Sequence, residues 1–136
     1  DLGCGTGVLS IVASKISKVR ITAIDNDEIA VETTKFNFLK NKICNNSIVL
    51  RSNGFNNSHI NKLGKFDLIF ANILFQPLKK IVKSANKNLI HKGHIILSGI
   101  SIKQSIKIEQ VYFGHNFKKI DSYKEGNWIT IIMKKF

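Results

Sequence analysis

Asp1-Leu2-Gly3-Cys4-Gly5-Thr6-Gly7-Val8-Leu9 opens the chain, and the fold turns on this stretch. Alternate glycines let a backbone bend sharply and approach a ligand with no Cβ in the way. The apolar run Val8-Leu9-Ser10-Ile11-Val12-Ala13 reads as a helix, whose first N–H groups lack partners and suit the polar part of a nucleotide-like ligand. A dinucleotide fingerprint, G-x-G-x-x-G, would need glycine at position 8, where the chain carries Val8. The spacing is instead G-x-G-x-G, which disfavours a dinucleotide-binding turn, with a ligand-free glycine loop as the bland reading.

Together with Asp1 ahead of it, the turn resembles motif I of the class I S-adenosylmethionine (SAM) methyltransferases. Downstream, apolar strand-like runs alternate with helical periodicity, the signature of a parallel sheet covered by helices. Val19 to Asp25 reads as a buried strand ending in a carboxylate, and Asp27-Glu28 opens a helix through about Lys40. Ile48-Val49-Leu50 makes a short strand, and a polar loop from Asn53 to Gly64 leads to the strand Phe66 to Asn72. Pro77 suits the first turn of a helix running to about Ile90, and the turn His91-Lys92-Gly93 releases the strand His94 to Gly99. After a helix from Lys103 to Phe113, strands at Phe117 to Tyr123 and Asn127 to Lys135 join across Glu125-Gly126-Asn127 as an antiparallel edge hairpin. The fold class is therefore α/β, a doubly wound Rossmann-like sheet with a terminal hairpin.

With 136 residues and 43% apolar content the chain suits one domain with a buried core, and no stretch is long enough to cross a membrane. Nothing resembles a signal peptide. Cys4 in the turn and Cys44 beside Asn45-Asn46 form neither a disulfide framework nor a metal pair, so a reducing cytoplasm is the expected compartment. His59, His91, His94 and His115 are scattered without metal spacing, and no metal is expected. The net charge of +12 favours anionic partners such as RNA or a ribosome. An equal alternative is a lysine-rich codon bias, because the lysines are spread along the chain.

Chemistry in an open parallel sheet collects at the carboxyl ends of the strands, where the Gly3 to Gly7 turn, Asp25, Asn53 and Asn72 fall. A carboxylate at Asp25 can accept both hydroxyls of a ribose. Asn53 could contact adenine or simply make an Asn-Gly turn. Asn72 ends an apolar strand with an amide that can orient an incoming amine without acting as a strong base. Such orientation matters because methyl transfer to nitrogen is an in-line displacement that needs a neutral lone pair held in place.

Ala71-Asn72-Ile73-Leu74 with Pro77-Leu78, set downstream of Asp1 to Leu9 and of Ala23-Ile24-Asp25-Asn26-Asp27, resembles the ribosomal protein L-eleven (L11) methyltransferase family. Leu97-Ser98-Gly99-Ile100 and Glu125-Gly126-Asn127-Trp128 extend the resemblance over essentially the whole chain. It implies a cytoplasmic enzyme that uses SAM to methylate the N-terminal amine and lysine side chains of one large-subunit ribosomal protein, free or on the subunit with rRNA nearby. By the resemblance Gly3, Gly5, Asp25 and Asn72 contact SAM, and Asn72 is also catalytic.

Two features depart from that family. Phe75 stands where relatives carry a small residue, and an upstream recognition domain and a SAM-contacting threonine are expected ahead of the turn. The chain keeps only the last two residues of its first strand, so the catalytic domain, residues 1–136, is expected to be truncated and unstable in isolation through unpaired strand edges. An RNA or DNA methyltransferase, or a catalytically silent SAM-binding domain, are the alternative readings.

Overall fold

A computed structural model describes residues 1–43 and 47–136, so Cys44 with its two asparagines lies outside the described residues. The chain forms two compact units, Asp1–Asn57 and Ser58–Phe136.

In the first unit, helix α1 (Val8–Ile16) is followed by strand β1 (Ile21–Asp25), helix α2 (Glu28–Lys40) and strand β2 (Ser47–Arg51). β1 and β2 run parallel in register from Ile21 opposite Ser47 to Asp25 opposite Arg51, with α2 as the crossover. β1 starts two residues later than expected. Val19 is largely exposed, and its N–H donates to the Ser17 carbonyl in a local turn. At the start of the chain Leu2 forms a parallel bridge with Ile24, the Ile24 N–H donates to the Asp1 carbonyl at 2.8 Å, and the Gly3 N–H donates to Ile24 at 2.8 Å. The two residues read as a strand end thus pair as one. Asp27 caps α2 by accepting the Ile29 N–H at 3.0 Å. Cys4, Ile21, Ala23 and Phe38 form the buried cluster, with Ile11, Ile43 and Val49 packed on it.

In the second unit, α3 (Ser58–Lys62), β3 (Phe66–Asn72), α4 (Phe75–Asn88), β4 (Leu89–Ser101), α5 (Ile102–Phe113), β5 (Phe117–Glu125) and β6 (Trp128–Lys135) follow in order. The strand order is β3-β4-β6-β5. β3 and β4 are parallel, and β6 pairs antiparallel with both β4 and β5. Ile95 and Leu97 of β4 and Ile129, Ile131 and Met133 of β6 are buried at period two, and α4 and α5 pack against this sheet. The Tyr112 hydroxyl of α5 donates to the Leu78 carbonyl of α4 at 3.0 Å, which satisfies a phenol that is otherwise fully buried.

Three expectations need correction. The segment read as a polar loop contains the short helix α3, which buries Ile60. Helix α4 ends at Asn88, short of the expected Ile90, while Pro77 sits in its first turn as read, where its missing N–H leaves no helical bond unmade. The turn at His91-Lys92-Gly93 lies within β4: Phe66 pairs with Leu89 and Leu68 with His94, so the extra residues loop out as a bulge with Lys92 at φ 64°. The terminal hairpin forms as read, with Glu125 paired to Trp128 and Gly126 at φ 55° in the two-residue turn.

Candidate functional site

Gly3, Gly5 and Gly7 all adopt left-handed φ, at 71°, 54° and 78°, which accounts for glycine at each second position of the turn. The chain then enters α1, whose start is held by Asp1. One carboxylate oxygen of Asp1 accepts both the Ser10 hydroxyl, at 2.7 Å, and the Ser10 backbone N–H, at 3.2 Å.

Asp25, at the end of β1, stands directly against the turn. Its Oδ2 accepts the Gly5 N–H at 2.9 Å and its Oδ1 accepts the Asp27 N–H at 3.1 Å. Each oxygen has one backbone donor, and each keeps a lone pair for a further donor. The two remaining acceptors suit two neighbouring hydroxyl groups.

The two faces of the turn differ. A Cβ built on Gly5 would meet nothing within 4 Å, whereas one on Gly7 would fall 2.8 Å from Thr34 Cγ2 and 3.1 Å from Phe38 Cε1. The Gly7 side is therefore packed on α2 and the Gly5 side is open. Helix α2 also binds the turn through hydrogen bonds: the Thr34 hydroxyl donates to the Gly5 carbonyl at 3.0 Å, and Asn37 Nδ2 donates to the Thr6 carbonyl at 2.8 Å. Thr34 Oγ1 lies 3.3 Å from the Cys4 sulfur as well. Burial pushes the Cys4 thiol up, and its hydrogen bond to Thr34 acts in the opposite direction.

Sequence reasoning missed Thr34 and Asn37. Their one signal is a buried hydroxyl in the stripe Val31, Thr34, Phe38, where an apolar residue would be the ordinary choice. Ser52 was missed too. It follows β2, donates its N–H to the Asp25 carbonyl at 2.8 Å, and buries an Oγ with no hydrogen-bond partner among the described residues. A buried hydroxyl left unpaired costs free energy, about 1–3 kcal/mol, unless a ligand supplies the partner. Its neighbour Asn53 is exposed. The open space at Gly5, the two free acceptor positions on Asp25 and the unpartnered Ser52 hydroxyl fit the ribose and base of a nucleoside.

Asn72 belongs to the second unit. It ends β3 opposite Ser98 of β4 and is exposed. Gly99, the next residue of β4, has φ 74°, and a Cβ there would lie 2.8 Å from the Ile73 carbonyl oxygen and 3.2 Å from Asn72 Oδ1. Two oxygen acceptors, one side chain and one backbone, therefore sit together above a residue that has no side chain. Phe75, at the start of α4, carries Lys79 Nζ 5.0 Å from its ring centroid. The structure gathers Gly3, Gly5 and Asp25 in one unit, and gathers Asn72 with Ile73 and Gly99 in the other. Among the described residues no three His, Cys, Asp or Glu side chains come together as a metal site, and no helix is long and apolar enough to cross a membrane.

A family model described as ribosomal protein L11 methyltransferase (PrmA) matches residues 1–136. The chain is similar to ribosomal protein L11 methyltransferases from Allorhizobium ampelinum, at 37% identity over 131 residues, and from Agrobacterium fabrum, at 36% over 135 residues. These matches cover 96% and 99% of the chain but 45% and 46% of the relatives, so the chain spans a little under half the length of the curated relatives it matches. Among solved structures, the ribosomal protein L11 methylase from Lactobacillus delbrueckii subsp. bulgaricus superposes with a TM-score of 0.90 at 27% identity, over 99% of this chain and 68% of that one. A precorrin-6y C5,15-methyltransferase from Geobacter metallireducens, at 19% identity and a TM-score of 0.79 over 98% of this chain and 76% of its own, shares the fold alone. The α/β methyltransferase fold read from the sequence is the fold the chain has.

Proposed function

The chain belongs to the ribosomal protein L11 methyltransferase family, and from that premise we propose that it supplies the SAM-binding catalytic part of an enzyme that methylates amino groups of ribosomal protein L11. The observation that carries the reading is the hydrogen bond between Gly5 and Asp25, 20 positions apart, which sets a carboxylate with two free acceptor positions beside an open glycine turn. SAM, when bound, supplies a sulfonium-activated methyl group.

The residues of the chain divide the remaining work. Asp25 accepts the two ribose hydroxyls, the turn at Gly3 and Gly5 lets the ligand approach the backbone, and Ser52 gives its orphaned hydroxyl to the base. Asn72 Oδ1 and the Ile73 carbonyl would accept N–H groups of the incoming amine and leave its lone pair free. Neither oxygen is a base, so the amine has to arrive neutral. For a lysine of pKa about 10.4 that fraction is below one in a thousand at pH 7 and rises tenfold per pH unit.

The substrate is tested by incubating the protein with methyl-labelled SAM and separated ribosomal proteins and rRNA. Label on amines of L11 is expected. Label on RNA with none on protein, a result the net charge of +12 would suit, would replace this reading with RNA methylation. SAM binding without any turnover would leave a silent binding domain.

A further inference from the structure

We propose that Gly99 is a positioning residue for the amine-holding oxygens: its missing side chain is the space in which Asn72 Oδ1 and the Ile73 carbonyl stand. The proposal rests on the reading of Asn72 as the residue that holds the amine.

Gly99 lies on the strand next to Asn72, and the strand is irregular at that point. The pairing of β4 with β6 is regular from His94 to Leu97 and shifts before it resumes at Ile100, so Ser98 and Gly99 form the bulge. Gly99 has φ 74°, in the region where an L-residue is strained. A bulge with a left-handed glycine re-aims what stands beside it, and what stands beside this one is the end of β3. The Ile73 oxygen at 2.8 Å from the built Cβ is closer than a methyl group tolerates, and Asn72 Oδ1 at 3.2 Å is tight against it. The Ile73 carbonyl carbon, at 3.3 Å, is part of the same peptide group, so a side chain here cannot be relieved by one rotamer change. The peptide between Ile73 and Leu74 has to move, and the Asn72 side-chain oxygen beside it has to give by a few tenths of an ångström.

The rest of the environment leaves Gly99 free for this task. Its neighbour Ser98 pairs with Asn72 through the backbone but turns its hydroxyl to Thr130 Oγ1 of β6, 3.2 Å away. Ile100 is fully buried. Gly99 is the residue whose missing Cβ faces the Ile73 carbonyl. In-line transfer tolerates little error, and a shift of about 1 Å in a held group can cost 100-fold in rate. A methyl group at position 99 is therefore expected to act on turnover, with little effect on SAM, whose proposed ribose and base contacts are Asp25 and Ser52.

The test compares Gly99→Ala, Asn72→Ala, the double variant and the control Ser98→Ala in the protein carrying this chain. SAM affinity is measured by calorimetry and kcat on L11 by methyl label. For Gly99→Ala, kcat is expected to fall about 10- to 100-fold with SAM affinity within threefold. In the Asn72→Ala background the same change is expected to cost at least fivefold less, because one of the two oxygens it displaces is already gone. Ser98→Ala should stay within twofold of the parent. A folded Gly99→Ala protein with unchanged kcat overturns the proposal, as does an equal loss with and without Asn72. If Asn72→Ala alone keeps full kcat, the amine-holding reading itself fails, and Gly99 with it. Should the alanine variant not fold, Gly99→Asn, which tolerates the left-handed backbone but still places a Cβ there, carries the same expectation.

Discussion

The Thr34 hydroxyl donates to the Gly5 carbonyl at 3.0 Å across 29 positions of sequence, and this bond ties the middle of α2 to the glycine turn. The same glycine gives its N–H to Asp25. One peptide neighbourhood is thus held from two sides, and its open face is left for a ligand. Thr34→Val keeps the shape and removes the donor. The expected result is SAM binding weakened about 5- to 10-fold, the worth of one hydrogen bond of about 1 kcal/mol. Thr34→Ser should recover most of it. Calorimetry on the three proteins decides, and equal affinities in all three would show that α2 does not set the turn.

Asp25→Asn removes the charge and one of the two acceptor oxygens. Hydrogen bonds to charged groups contribute about 1.5–3 kcal/mol, so SAM affinity is expected to drop about 10- to 150-fold. Catalysis at saturating SAM should change much less. A larger fall in kcat than in affinity would place Asp25 nearer to the chemistry than the ribose.

Gly7→Ala is a stability test. Its φ of 78° costs an L-residue about 1–2 kcal/mol, and the new methyl would sit 2.8 Å from Thr34 Cγ2. Overpacking adds about 1–3 kcal/mol. Urea melts should show a loss in that combined range, and a loss under 1 kcal/mol would mean that α2 gives way freely.

Alkaline pH should weaken the fold. Burial raises both the Cys4 thiol and the Tyr112 phenol above their ordinary values. The folded chain then keeps protons that the unfolded chain loses, so the stability present below the unfolded values, about 8.5 for cysteine and about 10 for tyrosine, is lost as pH rises past each. Melts of the parent protein between pH 7 and 10.5 should fall in two stages. Tyr112→Phe removes the second stage at a cost of about 1–2 kcal/mol at neutral pH, because the Leu78 carbonyl loses its donor. Parent and variant curves that stay parallel to pH 10.5 would refute the assignment to Tyr112.

Much of this protein could be read in advance. The G-x-G-x-G spacing, the carboxylate at Asp25 and the amide at Asn72 are local signals, since each depends on residue type and distance along the chain. The parallel strands and the terminal hairpin follow from period-two burial and from glycine at the turn. Where the reading slipped, at the His91 to Gly93 turn and at α3, the cause was a bulge within β4 and the burial of Ile60, and neither has a strong local cue.

Thr34, Asn37, Ser52 and Gly99 could not be assigned from their surroundings in the sequence. Thr34 and Asn37 act on carbonyls 29 and 31 positions away. Ser52 matters because no described residue pairs with its buried hydroxyl, and Gly99 because two oxygens from the end of β3 and the residue after it crowd the place of its Cβ. A sequence states which groups the chain has and how far apart they are along it. Hydrogen bonds and steric contacts act over about 3 Å of space, so which groups meet, and which are left without a partner, emerges when strands and helices pack.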